Sequence, residues 1–179
     1  MKYFEVQDTP ELKYAPKLRN WYGKFDVRNI RIDLFPRLPD MQLFITEPLE
    51  SMVFTDIILS PFLLVSPMVY EVLRMYRERC FFKKIILLNQ LQRESRLYYL
   101  PVLDETNQLS LHRVEYKNGF LYSERRDISG RKTELPLNLF WVRDSKKRHI
   151  IMSMDMADSL IRRGVRGLGL CEVELYYRE

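Results

Sequence analysis

Two stretches of this chain follow one pattern, and the pattern calls for helices laid on sheet. Leu64-Val65-Ser66 and Ile151-Met152-Ser153 each close a short apolar run with a serine. Behind each serine, apolar residues recur at helical spacing: Met68, Val69, Val72, Leu73 and Tyr76 in the first case, Met156, Ala157, Leu160 and Ile161 in the second. A serine so placed accepts a hydrogen bond from the open N–H groups of a helix's first turn. Pro67 suits the first helical position, where an N–H would be unpaired in any case. Asp155 and Asp158 precede Arg162 and Arg163, the order that the helix dipole favours. Gly164 fits the left-handed residue that ends a helix. The spacing predicts two amphipathic helices, at 67–78 and 154–163. A leucine stands seven residues after each serine (Leu73 and Leu160), which fits either an internal strand–helix–strand repeat or the common grammar of helix starts.

The rest reads as mostly antiparallel sheet, so the fold class expected is α+β. Tyr3 to Val6 reads as a first strand, and Asp8-Thr9-Pro10 opens a short helical turn. Ile30, Ile32 and Leu34 alternate with Arg31 and Asp33, a half-buried strand pattern. Pro36, Pro39 and Pro48 break the following residues into short pieces, Leu43 to Thr46 among them. Phe62 to Val65 and Ile85 to Leu88 are compact apolar runs, hence buried strands. Leu97 to Leu103 is an aromatic-rich strand whose Pro101 argues for an edge or a bulge. Asp104 to Gln108 reads as a turn, and Leu109 to Tyr116 as a strand. Lys117-Asn118-Gly119 is a tight hairpin turn across which Phe120 to Glu124 pairs back, because asparagine–glycine tolerates positive φ angles. Leu137 to Val142, His149 to Met152 and Leu168 to Tyr177 complete the strands. Residues 1–52 have too few periodic positions for a core of their own. They are expected as a packed extension of an α+β domain over 53–179.

The 179 residues carry a net charge of +5, and its location matters more than its size. Arg125, Arg126, Arg131, Lys132, Arg143, Lys146, Lys147 and Arg148 stand against Asp127, Glu134 and Asp144 in one stretch. That local excess equals the excess of the whole chain. A basic surface of this kind attracts an acidic partner or a phosphate backbone. Tyr116, Phe120, Tyr122 and Trp141 lie near it in sequence, and tyrosine, tryptophan and arginine are the residues enriched at binding hot spots. The eight basic residues and Trp141 form the candidate partner-binding set.

Chemistry-bearing motifs are missing. With six glycines the chain has no phosphate-cradling loop. His112 and His149 lack metal-ligand spacing to Cys80 or Cys171, and no CxxC, HExxH or GxSxG pattern occurs. Ser66 and Ser153 are explained as helix caps without nucleophilic chemistry. No catalytic, cofactor or metal residue is assigned, and the chain reads as no enzyme. The most apolar run, Ile57 to Val72, is broken by Ser60, Pro61, Ser66, Pro67 and Glu71, short of the roughly 20 residues that span a bilayer. Met1 to Glu5 does not resemble a secretion signal, and two cysteines make no disulfide framework. The location expected is the cytoplasm.

Three parts of the chain resemble a family of bacterial immunity proteins that accompany polymorphic toxins. They are Leu64-Val65-Ser66 with its helix, the Leu97-Tyr98-Tyr99-Leu100 strand ending near Asp104, and Ile150-Ile151-Met152-Ser153 with the helix that runs on to Arg166-Gly167-Leu168. The resemblance spans residues 60–177. It implies a small cytoplasmic protein that neutralises one cognate protein toxin by binding it, and it brings no catalytic residues. The other reading of the 125–148 stretch is a nucleic-acid-binding module, which combines the same basic and aromatic residues.

Overall fold

A computed structural model describes residues 1–24, 26–76, 81–117, 120–122, 130–132, 137–144 and 147–178. Its strands are β1 (Tyr3–Gln7), β2 (Met41–Ile45), β3 (Ile57–Ile58), β4 (Leu64–Val65), β5 (Phe81–Asn89), β6 (Glu94–Val102), β7 (Glu105–Thr106), β8 (Leu109–Arg113), β9 (Glu115–Lys117), β10 (Phe120–Tyr122), β11 (Leu139–Asp144), β12 (Lys147–Ser153) and β13 (Gly169–Tyr177). The helices are α1 (Pro67–Tyr76) and α2 (Met154–Arg162), joined by three short 3₁₀ segments near the start. The fold is α+β, with mostly antiparallel sheet and the two expected amphipathic helices. None of the helices among the described residues is long and apolar enough to cross a membrane.

The chain divides into two compact units. One comprises residues 1–7, 104–158 and 169–179; the other comprises 8–103 and 159–168. The first holds a six-stranded sheet in the order β7-β11-β12-β1-β13-β8, with β9 and β10 as a separate hairpin. All its pairings are antiparallel except β7 with β11. β8 lies close to β11, so the sheet curls. Its inner face carries Tyr3, Leu109, Phe140, Val142, Ile151, Val173 and Leu175, all buried. These are alternate residues of their strands, as a two-residue side-chain period requires.

The second unit holds the sheet β2-β5-β6-β4-β3, in which only β2 and β5 run parallel. Phe44, Ile85, Leu87, Tyr98, Leu100 and Val102 form one buried cluster with Leu18, Ile30 and Leu38 from the irregular N-terminal segment. Residues on the other face of β5 and β6 meet α1: Tyr70 stacks on Tyr99 at 3.9 Å and meets Phe82 edge-on at 4.7 Å. Pro101 is accommodated in β6 because β4 pairs with that strand at one position only, Val65 opposite Tyr99.

Four local expectations need correction. Ile30 to Leu34 form no strand; Ile32–Arg37 is a 3₁₀ helix with Pro36 inside it. Ile32, Phe35 and Leu38 recur every third residue, the period of a 3₁₀ turn, and all three pack on the second unit's core. Asp104 to Gln108 contains a strand, β7, rather than a turn alone. Ile161 is exposed on α2, whereas Met156, Ala157 and Leu160 are buried. The hairpin forms with Lys117 in the strand and not in the turn: Phe120 pairs with Lys117 and Tyr122 with Glu115, while Asn118 and Gly119 lie outside the described residues. Gly164 has φ +68°, and the N–H groups of Gly164 and Val165 bond back to the carbonyls of Ile161 and Leu160, a Schellman closure.

Both serine caps are made. Ser66 Oγ accepts from the Val69 N–H at 3.5 Å, and Ser153 Oγ accepts from the Met156 N–H at 3.3 Å. Ser153 is fully buried and also donates to Asn138 Oδ1 at 2.7 Å, so it ties α2 to the residue that precedes β11. Ser153→Ala should therefore cost about 1–3 kcal/mol, and Ser66→Ala about 0.5–1 kcal/mol. Urea unfolding of the two variants checks the order; equal midpoint shifts would refute it.

A candidate protein-binding face on the six-stranded sheet

The outward face of the β7–β11–β12 edge gathers aromatic and cationic side chains. The β11–β12 register places Arg143 directly opposite Arg148 and Trp141 opposite Ile150. Like charges directly opposite across a ladder repel. β7 resolves this by setting Glu105 beside Trp141. Arg143 Nε lies 2.5 Å from Glu105 Oε1, and Arg148 Nη2 lies 2.6 Å from Oε2. The Arg148 guanidinium also sits over the Trp141 ring, 4.6 Å from its centre. Such a contact contributes about 0.5–1 kcal/mol at an exposed site.

This corner is incompletely satisfied. Trp141 Nε1 and Arg148 Nε are buried and have no hydrogen-bond partner among the described residues. The Arg148–Glu105 contact is a close ion pair without good hydrogen-bond alignment. Arg178 adds a further cation, donating from Nη2 to the Arg143 carbonyl at 2.9 Å. It is anchored beside β8, since its backbone N–H bonds to the Gln108 carbonyl.

Of the nine residues singled out in the sequence, the sheet brings Arg143 and Arg148 together on Glu105 and sets the Arg148 guanidinium over Trp141. Lys147 is exposed at the start of β12. Arg131 is joined to the end of β13, its carbonyl accepting from the Tyr177 N–H. Lys132 is engaged elsewhere: its Nζ lies 2.6 Å from Glu174, which also accepts from the Tyr176 hydroxyl. These two bonds hold the Glu174 carboxyl below its usual range. Arg125, Arg126 and Lys146 lie outside the described residues. Arg178 escaped the sequence reading because it stands 35 positions beyond Arg143, and only sheet curvature joins them.

A second constellation was also invisible in the sequence. Glu5, on the inner face of β1, is buried at 6% exposure. His149 Nδ1 lies 2.6 Å from its Oε1, while Arg113 and Gln7 donate to its Oε2 at 2.9–3.0 Å. Burial alone pushes the Glu5 carboxyl up, but the bonds from His149, Gln7 and Arg113 outweigh it and hold the group below its usual range. Its acceptors are taken, which makes it a structural anion and a poor general base. Among the described residues no group of three or more His, Cys, Asp and Glu is arranged to hold a metal ion. No family model and no curated protein matches the sequence.

Because the folded Glu5 has a pKa below its unfolded value near 4.5, unfolding takes up a proton in acid. Its contribution is present above about pH 4.5 and is lost as pH falls through the lower, folded value. Glu5→Gln should lower stability at pH 7 by about 1–3 kcal/mol and flatten the fall in stability below pH 4.5. Urea midpoints from pH 7 to pH 3 test this; parallel curves for the two proteins would contradict it.

Proposed function

We propose that this chain is a non-catalytic binding protein that neutralises a cognate bacterial protein toxin, and that the Trp141–Arg143–Arg148 face contacts it. The observation that carries this reading is the sharing of one carboxylate, Glu105, by two arginines beside a tryptophan. Tryptophan and arginine dominate the energetics of protein interfaces. The arginines have donors left over for carboxylates of a partner, and planar guanidinium groups meet carboxylates in paired fashion. The sheet beneath holds the side chains in place before binding, which limits the entropy lost on association. The resemblance to immunity proteins around Leu64-Val65-Ser66 and Ile151-Met152-Ser153 supplies the kind of partner. A cytoplasmic location belongs to the same proposal.

The test takes as its probe the C-terminal domain of a polymorphic toxin, wherever one is found encoded next to this chain's gene. Arg143→Glu combined with Lys147→Glu should weaken binding by roughly 30-fold or more, and added salt should slow association with the unaltered protein. Circular dichroism confirms that the variant is folded. Unchanged affinity and unchanged salt dependence would remove this face from the interface. A parallel titration with labelled DNA and RNA at two salt concentrations addresses the other reading. Tight binding that weakens steeply with salt would favour a nucleic-acid module instead.

A further inference from the structure

The second unit contains a cleft of about 480 Å³, formed where the first 3₁₀ segment (Pro10–Tyr14) leads into the following coil. Its apolar lining includes Ala15, Leu18, Trp21, Ile58 and Pro61. Lys13, Lys17 and Asp8 bring charge to the same cleft. Neither lysine side chain has a hydrogen bond or ion pair among the described residues, and Asp8 has none either. The cleft therefore carries one excess positive charge over an apolar floor.

The floor is fixed by backbone pairing. Leu18 bridges Thr46, the Arg19 N–H bonds to the Ile45 carbonyl at 2.8 Å, and the Glu47 N–H bonds to the Lys17 carbonyl at 2.8 Å. Val53 N–H closes onto the Tyr14 carbonyl at 2.8 Å. Trp21 is held edge-on against Phe62 at 6.2 Å. The cleft is thus formed before any ligand arrives, and its volume lies in the range of small-molecule sites. A concave apolar floor with few charged groups at its margin is the chemistry that takes an apolar body and orients its one ionised end.

We propose that this cleft binds a small organic acid, its aromatic or branched aliphatic body lying against Trp21 and Ile58 and its carboxylate meeting the ammonium groups of Lys13 and Lys17. The lysines select the anion; Asp8 disfavours dianions that would extend past them. The site is independent of the toxin-binding reading, because none of its residues belongs to the Trp141–Arg148 face.

The chain has two tryptophans, so its two indole N–H resonances report separately on the two places. The full-length ¹⁵N-labelled protein is titrated with 4-phenylbutyrate and, in parallel, with neutral 4-phenylbutyramide. The Trp21 resonance should shift saturably with the acid, at least tenfold more weakly with the amide, while Trp141 stays in place. In the Lys13→Met/Lys17→Met variant the acid should bind no better than the amide, with an otherwise unchanged ¹⁵N–¹H spectrum, the Trp21 indole included, showing that the fold is kept. A capped peptide carrying phenylalanine beside aspartate should bind more weakly than the free acid. A Trp21 resonance that stays put up to about 10 mM acid overturns the proposal. So does equal binding of acid and amide, equal binding by the double variant, or tighter binding of the peptide.

Discussion

β1 is the strand on which the first unit depends. It is paired on both sides, Tyr3 lying opposite Ser153 of β12 and Val173 of β13. Without it the six-stranded sheet would fall into two parts, each with an unpaired edge. The register is fixed by chemistry as well as by shape. Tyr3 and Glu5 face inward, and a slip of one residue would turn both outward and bring Phe4 and Val6 into their place. A buried carboxylate is tolerated only where donors meet it. Glu5 meets His149 from one neighbouring strand and Arg113 from β8, which lies beyond β13 in the sheet order. That reach across an intervening strand is possible because the sheet curls, so the ion pair and the curvature support each other.

The second unit uses buried polar groups differently, to shape the backbone between strands. Asn89 is fully buried at the end of β5, and its Oδ1 accepts from the N–H groups of Leu91 and Gln92. Its amide donates to Gln92 Oε1 at 2.8 Å. These bonds hold the turn in which Arg93 adopts φ +54°, a conformation that few residues other than glycine take. Lys83 shows the same economy on the core face of β5. Its stem is buried and its ammonium lies 4.2 Å from the Phe35 ring centre and 2.6 Å from Asp40, whose carboxyl it holds below the usual range.

Local periodicity made the helices and most strands legible, because a serine cap, an apolar stripe and a glycine stop act within a dozen residues. Both caps and the Gly164 closure lie where that grammar puts them. The pattern misled at Ile30 to Leu34 because three apolar residues at alternate positions also fit a 3₁₀ turn, and Pro36 with Pro39 leaves no room for a ladder. The sites were less legible, for a reason of distance. Glu5 and His149 stand 144 positions apart, and Glu105 is far from the basic stretch whose arginines it joins. No spacing rule reaches such pairs; they exist only once the strand order is known. Charge density did point to Arg143 and Arg148, because a sequence can reveal an excess of one sign even when it hides the partner.

The two polar clusters of the first unit differ in what they leave over. At Glu5 one carboxylate meets three donors, so its oxygens are occupied and the cluster is closed. At Glu105 the balance is reversed: two guanidinium groups share one carboxylate, and each has more N–H groups than one oxygen can use. A closed cluster on the inner face steadies the sheet and offers a ligand nothing. An open one on the outer face is pre-arranged by the same strands, yet keeps donors in surplus. Surplus donors beside a tryptophan are costly for a free protein to maintain, since desolvated polar groups without partners destabilise it. Of the two clusters the inner one is therefore the more completely paired, whereas the outer one keeps buried donors, Trp141 Nε1 and Arg148 Nε, without an acceptor among the described residues.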